Sequence, residues 1–384
     1  MKKEKSNKAK AKYNKSEFYQ LDNILKACPE AKYFVIWGER SNGKTFSVLE
    51  YGIDKYFATG EQIGLIRRLD ENFKGKFGNQ QFDNFLYNDI RGNIIEQKSK
   101  GKWNAIRYYS RKWFFVHKDE NGNITESDPE PFAHAFALNS EEKYKSLSWP
   151  KITTILNDEF ISMSGGYLTD EFLLFTSVLS SIIRKRDNVR IFLCANALPS
   201  YNPYIIEMGL NRFKTMEEGT IDIYKYGNSK LQVAVERTAT AKKTKGKKSD
   251  VYFAFDNPRL KMITEGDFAF NLYPHAPFKW IPKEIKFIYF IVFDGEIFQC
   301  EIIHHGKDWI TYIHEKTTPI KDEGKSLIYS QEIDCRMNHS RTILRPKNDL
   351  ERSIAQFFAA EKVFYQDNRV GEQINQYLLW QEGI

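Results

Sequence analysis

The chain has 384 residues, 41% hydrophobic, 28% charged and 15% aromatic, enough apolar material for about two domains of roughly 150 residues each. Mean hydropathy is −0.55, and no run approaches the roughly 18 apolar residues of a helical membrane span. The start, MKKEKSNKAKAKYNK, has no apolar segment behind its lysines and does not read as a secretory signal. Cys28, Cys194, Cys300 and Cys335 stand far apart with no CxxC spacing, which excludes a disulfide scaffold and a zinc finger. A cytosolic α/β protein is expected.

The net charge of +7 is concentrated in two places. Residues 1–15 contribute +6 and the segment AKKTKGKK (241–248) contributes +5, leaving the remainder near −4. Both runs lack apolar periodicity and read as solvated tails or loops that could touch a polyanion. Charge of this kind does not by itself establish nucleic-acid binding.

In chain order, SEFYQLDNILKACPE reads as a short helix with Ser16 as its cap and Pro29 as its stop. KYFVIW (32–37) is a strand, followed by GERSNGKT and a helix over FSVLEYGIDKYFATG. QIGLIRR (62–68) is the next strand, and residues 103–126 read as a hairpin turning at Glu120–Asn123. FAHAFAL (132–138) and ITTIL (152–156) are strands. Residues 168–186 form a helix capped by Thr169, and RIFLCAN (190–196) is a buried strand. This alternation predicts a mainly parallel, doubly wound sheet with helices on both faces to about residue 200. Beyond Pro199 come a connecting subdomain and a lysine-rich loop. From residue 285 a three-strand meander follows, turning at Asp294-Gly295 and His305–Lys307, and two helical patterns close the chain. The expected division is a basic disordered tail (1–15), an α/β domain (16–200), a linker subdomain (201–250) and a C-terminal α+β domain (251–384).

Gly38-Glu39-Arg40-Ser41-Asn42-Gly43-Lys44-Thr45 matches G-x-x-x-x-G-K-[ST] between a strand and a helix. Backbone N–H groups of such a loop cradle phosphates at a helix N-terminus, where the dipole also favours anions. The pattern therefore assigns Gly38, Arg40, Ser41, Asn42, Gly43, Lys44 and Thr45 to nucleotide binding. Lys44 would reach the β- and γ-phosphates and the Thr45 hydroxyl would hold Mg²⁺. KITTILNDEF (151–160) is an apolar strand ending in an acidic pair: Asp158 for the metal shell and Glu159 to polarise the attacking water.

More than a hundred residues separate loop from acidic pair, room for additional strands between them. The combination points to the additional-strand, catalytic-glutamate division of P-loop NTPases, which includes motors and translocases. With no guanine-reading Asn-Lys-x-Asp sequence following, ATP is the expected nucleotide. Arg184-Lys185-Arg186 reads either as dipole complementation at a helix end or as an arginine finger for a neighbouring subunit's ATP. Asn196 ends a strand expected beside the Asp158 strand, where it could sense γ-phosphate or orient water, or simply turn the chain. Arg40 could act in cis on the same charge.

GERSNGKT, the LIRR strand, KSLSWPKITTILNDEF and IIRKRDNVRIFLCANALPSYNPY together resemble the DNA-packaging ATPases (encapsidation proteins) of small podoviruses whose motors carry a packaging RNA. These are compact relatives of phage terminase large subunits. The similarity spans roughly residues 30–205 and is architectural beyond. The long lysine-rich N-terminal extension departs from the short form expected of the family.

The resemblance implies a homo-oligomeric ring, a pentamer, at the portal vertex, pumping double-stranded DNA into a prohead. The location would be the host cytoplasm, with transient docking on the prohead and absence from the mature virion. It carries the trans-acting finger to Arg184 rather than Arg186, a subunit-interface role to Lys145 and a coupling role to Asn196. It also implies an RNase H-like C-terminal domain that is a vestigial nuclease. The residues bear on that last point: IKFIYFIVF holds no carboxylate, Asp294 lies in its turn, and Glu296 and Glu301 sit on the next strand. A two-metal nuclease needs several converging carboxylates, so binding of packaging RNA or prohead is the better expectation. His304, His305 and His314 read as turn and strand histidines rather than metal ligands. The rival readings are a cellular helicase or remodelling ATPase on the same fold, a nucleic-acid-binding scaffold switched by ATP, and a terminase-like enzyme with a live nuclease.

Overall fold

The computed structural model describes residues 9–10, 18–38, 42–161, 167–196, 202–227, 229–238 and 273–382. The chain divides into two compact units, the first made of residues 1–163 and 170–268, the second of 164–169 and 269–384.

The first unit is built on strands β1 (Ala9–Lys10), β2 (Tyr33–Trp37), β3 (Gln62–Arg67), β4 (Ala105–Tyr109), β5 (Lys112–Lys118), β6 (Ile124–Ser127), β7 (Ala133–Ala137), β8 (Ile152–Asp158), β9 (Arg190–Ala195), β10 (Thr220–Lys225) and β11 (Gln232–Arg237). They form one sheet in the order β1-β10-β11-β2-β9-β8-β3-β7-β5-β4, with β6 on β5. From β11 to β7 every pairing is parallel. Parallel strands are covered on both faces, so they read as continuous apolar runs. Accordingly β7 and β8 are buried along their whole length.

Helices α1 (Asp22–Ala27) and α2 (Lys44–Thr59), three short helices α3 (Lys76–Asn79), α4 (Asp83–Leu86) and α5 (Ile94–Lys98), then α6 (Glu171–Ile183) and α7 (Pro203–Glu207) complete this unit. α2 buries Val48, Leu49 and Ile53. Gly52 lets it close on the sheet, because a Cβ there would meet Ile63 Cγ1 at 2.5 Å. Rings thicken the core beyond it: Phe115 stacks on Phe132 at 4.0 Å and Phe57 on Phe115 at 4.8 Å.

Several boundaries differ from expectation. α1 begins at Asp22 without a side-chain cap, and Ser16 lies outside the described residues. The region 103–126 contains two reversals rather than one. β4 turns into β5 at Ser110 and Arg111, both with positive φ (48° and 61°), and β5 into β6 around Asp119–Asn123. α6 starts after Asp170, not at Thr169, and stops before Arg184. The parallel sheet does not end near residue 200, because β11 lies parallel against β2 and β10 pairs with β11, so 220–237 belong to this sheet rather than to a linker. Within the expected disordered tail, Ala9 and Lys10 form a strand on β10.

The second unit holds β12 (Ile285–Phe293), β13 (Glu296–His305), β14 (Asp308–Glu315), β15 (Ile328–Ser330), β16 (His339–Ser340) and β17 (Val363–Tyr365), with α8 (Asp349–Ala359) and α9 (Asn368–Glu382). Its sheet runs β16-β15-β12-β13-β14-β17. β12, β13 and β14 form the expected antiparallel meander, while β15, β16 and β17 add in parallel. The first of the two closing helical patterns is not one helix throughout: α8 gives way to β17, whose Val363 and Tyr365 side chains are buried.

Candidate active site

The site lies at the carboxyl ends of neighbouring parallel strands in the first unit. β9 lies between β2 and β8, with Trp37 opposite Ala195 and Cys194 opposite Asp158. β3 flanks β8 on the other side, with Ile66 opposite Asn157. The residues that follow these strands, Gly38, Asn196, Glu159 and Arg68, therefore share one rim.

The loop after β2 is shaped by its neighbours. Gly38 has φ +144°, and a Cβ on it would stand 2.2 Å from Thr238 Oγ1. That hydroxyl accepts from Asn42 Nδ2 at 2.9 Å, and Thr238 N–H donates to Trp37 O at 2.8 Å, so the end of β11 pins both ends of the loop. Gly43 is left-handed (φ 91°) at the start of α2. Lys44 is 3% exposed, and its Nζ donates to Gly38 O at 3.1 Å and Asn42 Oδ1 at 3.0 Å. Glu39, Arg40 and Ser41 lie outside the described residues. Gly38→Ala combines a left-handed φ with an overpacked contact, so it should lower stability by at least about 1–3 kcal/mol in a urea titration. Unchanged stability would remove this account of the loop.

Thr45 Oγ1 donates to Asp158 Oδ1 at 2.7 Å, tying the first turn of α2 to the end of β8. Burial pushes the Asp158 carboxyl above its ordinary range, and Arg67, Thr45 and Lys44 pull it back toward ionisation. Glu159 is left-handed (φ 58°), its N–H donating to Cys194 O at 3.0 Å. Its side chain is 63% exposed. Thr45 and Asp158 are hard oxygen donors at a helix N-terminus, which suits a cation that also keeps water and phosphate oxygens. Among the described residues no group of three or more His, Cys, Asp or Glu side chains could hold a metal by itself.

Arg67 is the residue sequence reasoning missed. From the end of β3 its guanidinium reaches Asp158 at 2.9 Å and Glu159 at 3.0 Å. The only sequence signal was an Arg-Arg pair ending a strand that turned out to neighbour the acidic one.

Among the described residues, Arg184 and Lys145 have partners other than Thr45, Asp158 and Glu159. Arg184, exposed with φ 51°, donates to Leu147 O at 2.6 Å. Arg186 donates to Trp149, Pro150, Ile152, Ile182 and Ile183 carbonyls, fastening the end of α6 to the segment entering β8. Ile152 begins β8 and Asp158 ends it, a span of about 20 Å at 3.3 Å per residue. Lys145 is paired with Glu141 and Glu142, which raise its ammonium pKa.

In the second unit His314 bonds Glu301 at 3.4 Å, His305 bonds Glu284 at 2.7 Å, and His304 stacks on Trp309. Glu296 pairs with Arg369 at 2.8 Å. The three histidines have separate partners.

Fold and site together define a mixed α/β protein with a mainly parallel sheet, its cationic loop and acidic pair gathered at the strands' carboxyl ends. The chain belongs to the Podovirus DNA encapsidation protein (Gp16) family, whose model matches residues 13–379. It is 29% identical over 181 residues to the DNA packaging protein of Bacillus phage B103, covering 46% of this chain and 47% of that protein. To the DNA packaging protein of Bacillus phage phi29 it is 25% identical over 218 residues, 55% of each chain. The chain thus spans about half the length of the curated relatives it matches. Its fold is similar to a chain of the bacteriophage Phi-29 viral genome packaging motor assembly, with TM-score 0.51 and 18% identity over 94% of this chain and 100% of that one. A chain of the Phi-28 gp11 DNA packaging motor gives TM-score 0.51 and 17% identity over 94% and 98%.

Proposed function

We propose that the chain is a P-loop ATPase that hydrolyses ATP at the interfaces of a homo-oligomeric ring, a pentamer, to drive double-stranded DNA into a phage prohead. One observation carries the reading: the Thr45 hydroxyl sits 2.7 Å from the Asp158 carboxylate, with Glu159 next in the chain and Lys44 one residue before. These are the groups that phosphoryl transfer needs for the phosphates, the metal and the attacking water. β9, interposed between β2 and β8, supports the additional-strand division and brings Asn196 to the same rim.

In this mechanism the loop amides and Lys44 Nζ neutralise the phosphates, Lys44 exchanging its contacts to Gly38 and Asn42 for phosphate oxygens. Thr45 and Asp158 would hold Mg²⁺, which supplies charge neutralisation and orientation of the phosphates. The Glu159 carboxylate takes a proton from the attacking water, and Arg67 must give up that carboxylate first. Asn196 reports γ-phosphate occupancy to the adjoining strand. Arg184 is bonded to Leu147 O in the segment leading into β8, and Arg186 two residues on reaches Ile152 at the start of that strand, about 20 Å from the Asp158 end. This supports action of Arg184 on a neighbour's ATP, with Lys145 at the same subunit interface.

DNA would be gripped through backbone phosphates without sequence preference. The sheet order of the second unit, antiparallel β14-β13-β12 continued by parallel β15 and β16, supports an RNase H-like fold. With no acid on β12 or β15, it would serve in docking to packaging RNA, portal or prohead rather than in cutting. The site of action would be the host cytoplasm, at the prohead and not in the mature virion.

The test is steady-state phosphate release with and without double-stranded DNA, adding proheads carrying packaging RNA. Stimulation by DNA, and DNA uptake into proheads, is the expected result. Binding of both ATP and DNA with no turnover under any of these conditions would replace the motor by an ATP-switched scaffold.

A further inference from the structure

Arg67 and Arg68 straddle the acidic turn from opposite sides, as successive residues at a strand end do. Arg67 takes the two carboxylates. Arg68 instead forms a two-pronged pair with Glu171, Nε to Oε2 at 2.6 Å and Nη2 to Oε1 at 3.0 Å, and also donates from Nη2 to Phe160 O at 3.1 Å. Glu171, the first residue of α6, is 2% exposed. Tyr204 donates its hydroxyl to Glu171 Oε1 at 2.9 Å, and Asn157 Nδ2 reaches that same hydroxyl at 3.4 Å. The Tyr204 ring is enclosed by Phe160, Phe172 and Phe175.

The residues on both sides of Asp158-Glu159, namely Asn157 and Phe160, are therefore tied into one buried network centred on Glu171. Between them Glu159 holds φ +58°, a backbone conformation that a non-glycine residue keeps only where its surroundings over-determine it.

We propose that Arg68, Glu171 and Tyr204 are positioning residues that hold the Asp158–Glu159 turn and thereby aim the Glu159 carboxylate at the attacking water. The proposal rests on the reading of Glu159 as the catalytic base. A helix start needs no such apparatus: an exposed acid would satisfy the dipole of α6 equally well. A buried carboxylate with a two-pronged arginine and a tyrosine fixes direction as well as charge. Among the described residues the network bonds to Asn157 and Phe160 and not to Lys44, so its loss should act on the chemical step more than on nucleotide binding.

The experiment uses the full chain, comparing wild type, Glu159→Gln, Glu171→Gln and Tyr204→Phe. Single-turnover hydrolysis, affinity for a fluorescent ATP analogue and thermal melting are measured for each. Tyr204→Phe keeps the ring and removes only the hydroxyl, so it remains informative where Glu171→Gln, which leaves Arg68 unpaired, folds poorly. Misaligned catalytic groups cost up to about 10²-fold. Glu171→Gln should approach that loss, Tyr204→Phe should lose about tenfold, and analogue affinity should stay within about twofold in both. The proposal is overturned if Tyr204→Phe and folded Glu171→Gln hydrolyse ATP at the wild-type rate while Glu159→Gln is inactive. It is equally overturned if their rates fall only in step with folded fraction and affinity. Full activity of Glu159→Gln would instead overturn the catalytic reading beneath it.

Discussion

Glu159→Gln should reduce ATP turnover by about 10²–10⁴-fold, the contribution of a placed general base, while ATP affinity changes by no more than a few-fold. The two expectations separate because the side chain is 63% exposed and, among the described residues, its ion pair is with Arg67 and not with Lys44. An exposed pair contributes little to stability, so the variant should melt with the wild type. Phosphate release and nucleotide titration on the same preparation check both halves. Turnover within a few-fold of wild type would mean that another group activates water.

The second large effect separates two arginines that stand two residues apart. Arg184→Ala should abolish about 10³-fold of the rate, in the range of a trans-acting finger, with no loss of stability, because its guanidinium holds a single carbonyl at the surface. Arg186→Ala should do the reverse. It strips a charged donor from five backbone carbonyls and should cost about 2–4 kcal/mol in chemical unfolding. Mixing Arg184→Ala with Glu159→Gln subunits should restore part of the turnover, since a Glu159-intact site then meets a neighbour's intact finger. No recovery at any mixing ratio would place each active site within a single subunit.

How much could be seen in the sequence depended on how local the cause was. β2, β8 and β9 were legible because burial on both faces writes a largely apolar run, α2 because it follows the G-x-x-x-x-G-K-T loop, and the acidic pair because Asp158-Glu159 ends such a run. Arg67 was not legible as part of the site. Its partners lie more than 90 residues away, and only the adjacency of β3 and β8 brings them together. The same holds for Glu171, which reads as an ordinary acid in a first helical turn. β10 and β11 were taken for a linker because nothing in 220–237 reports that the partner strand is 33–37. The turn at Ser110-Arg111 hid for a different reason: two consecutive positive φ values are normally signalled by Asn or Gly, and neither is present. Tyr204 was seen only as part of a resembling fragment, its role depending on a carboxylate in another helix.

The interposed strand β9 has a mechanical consequence. It is hydrogen-bonded on one side to the strand that delivers the phosphate loop and on the other to the strand that delivers the acidic pair. Displacing those two strands along their axes must break the rungs of a ladder together, as in shear, rather than one after another, as in unzipping. The platform beneath the proposed nucleotide site is therefore stiff along the strands. Compliance, and with it any stroke, is left to the segments that hang from the ends of the sheet.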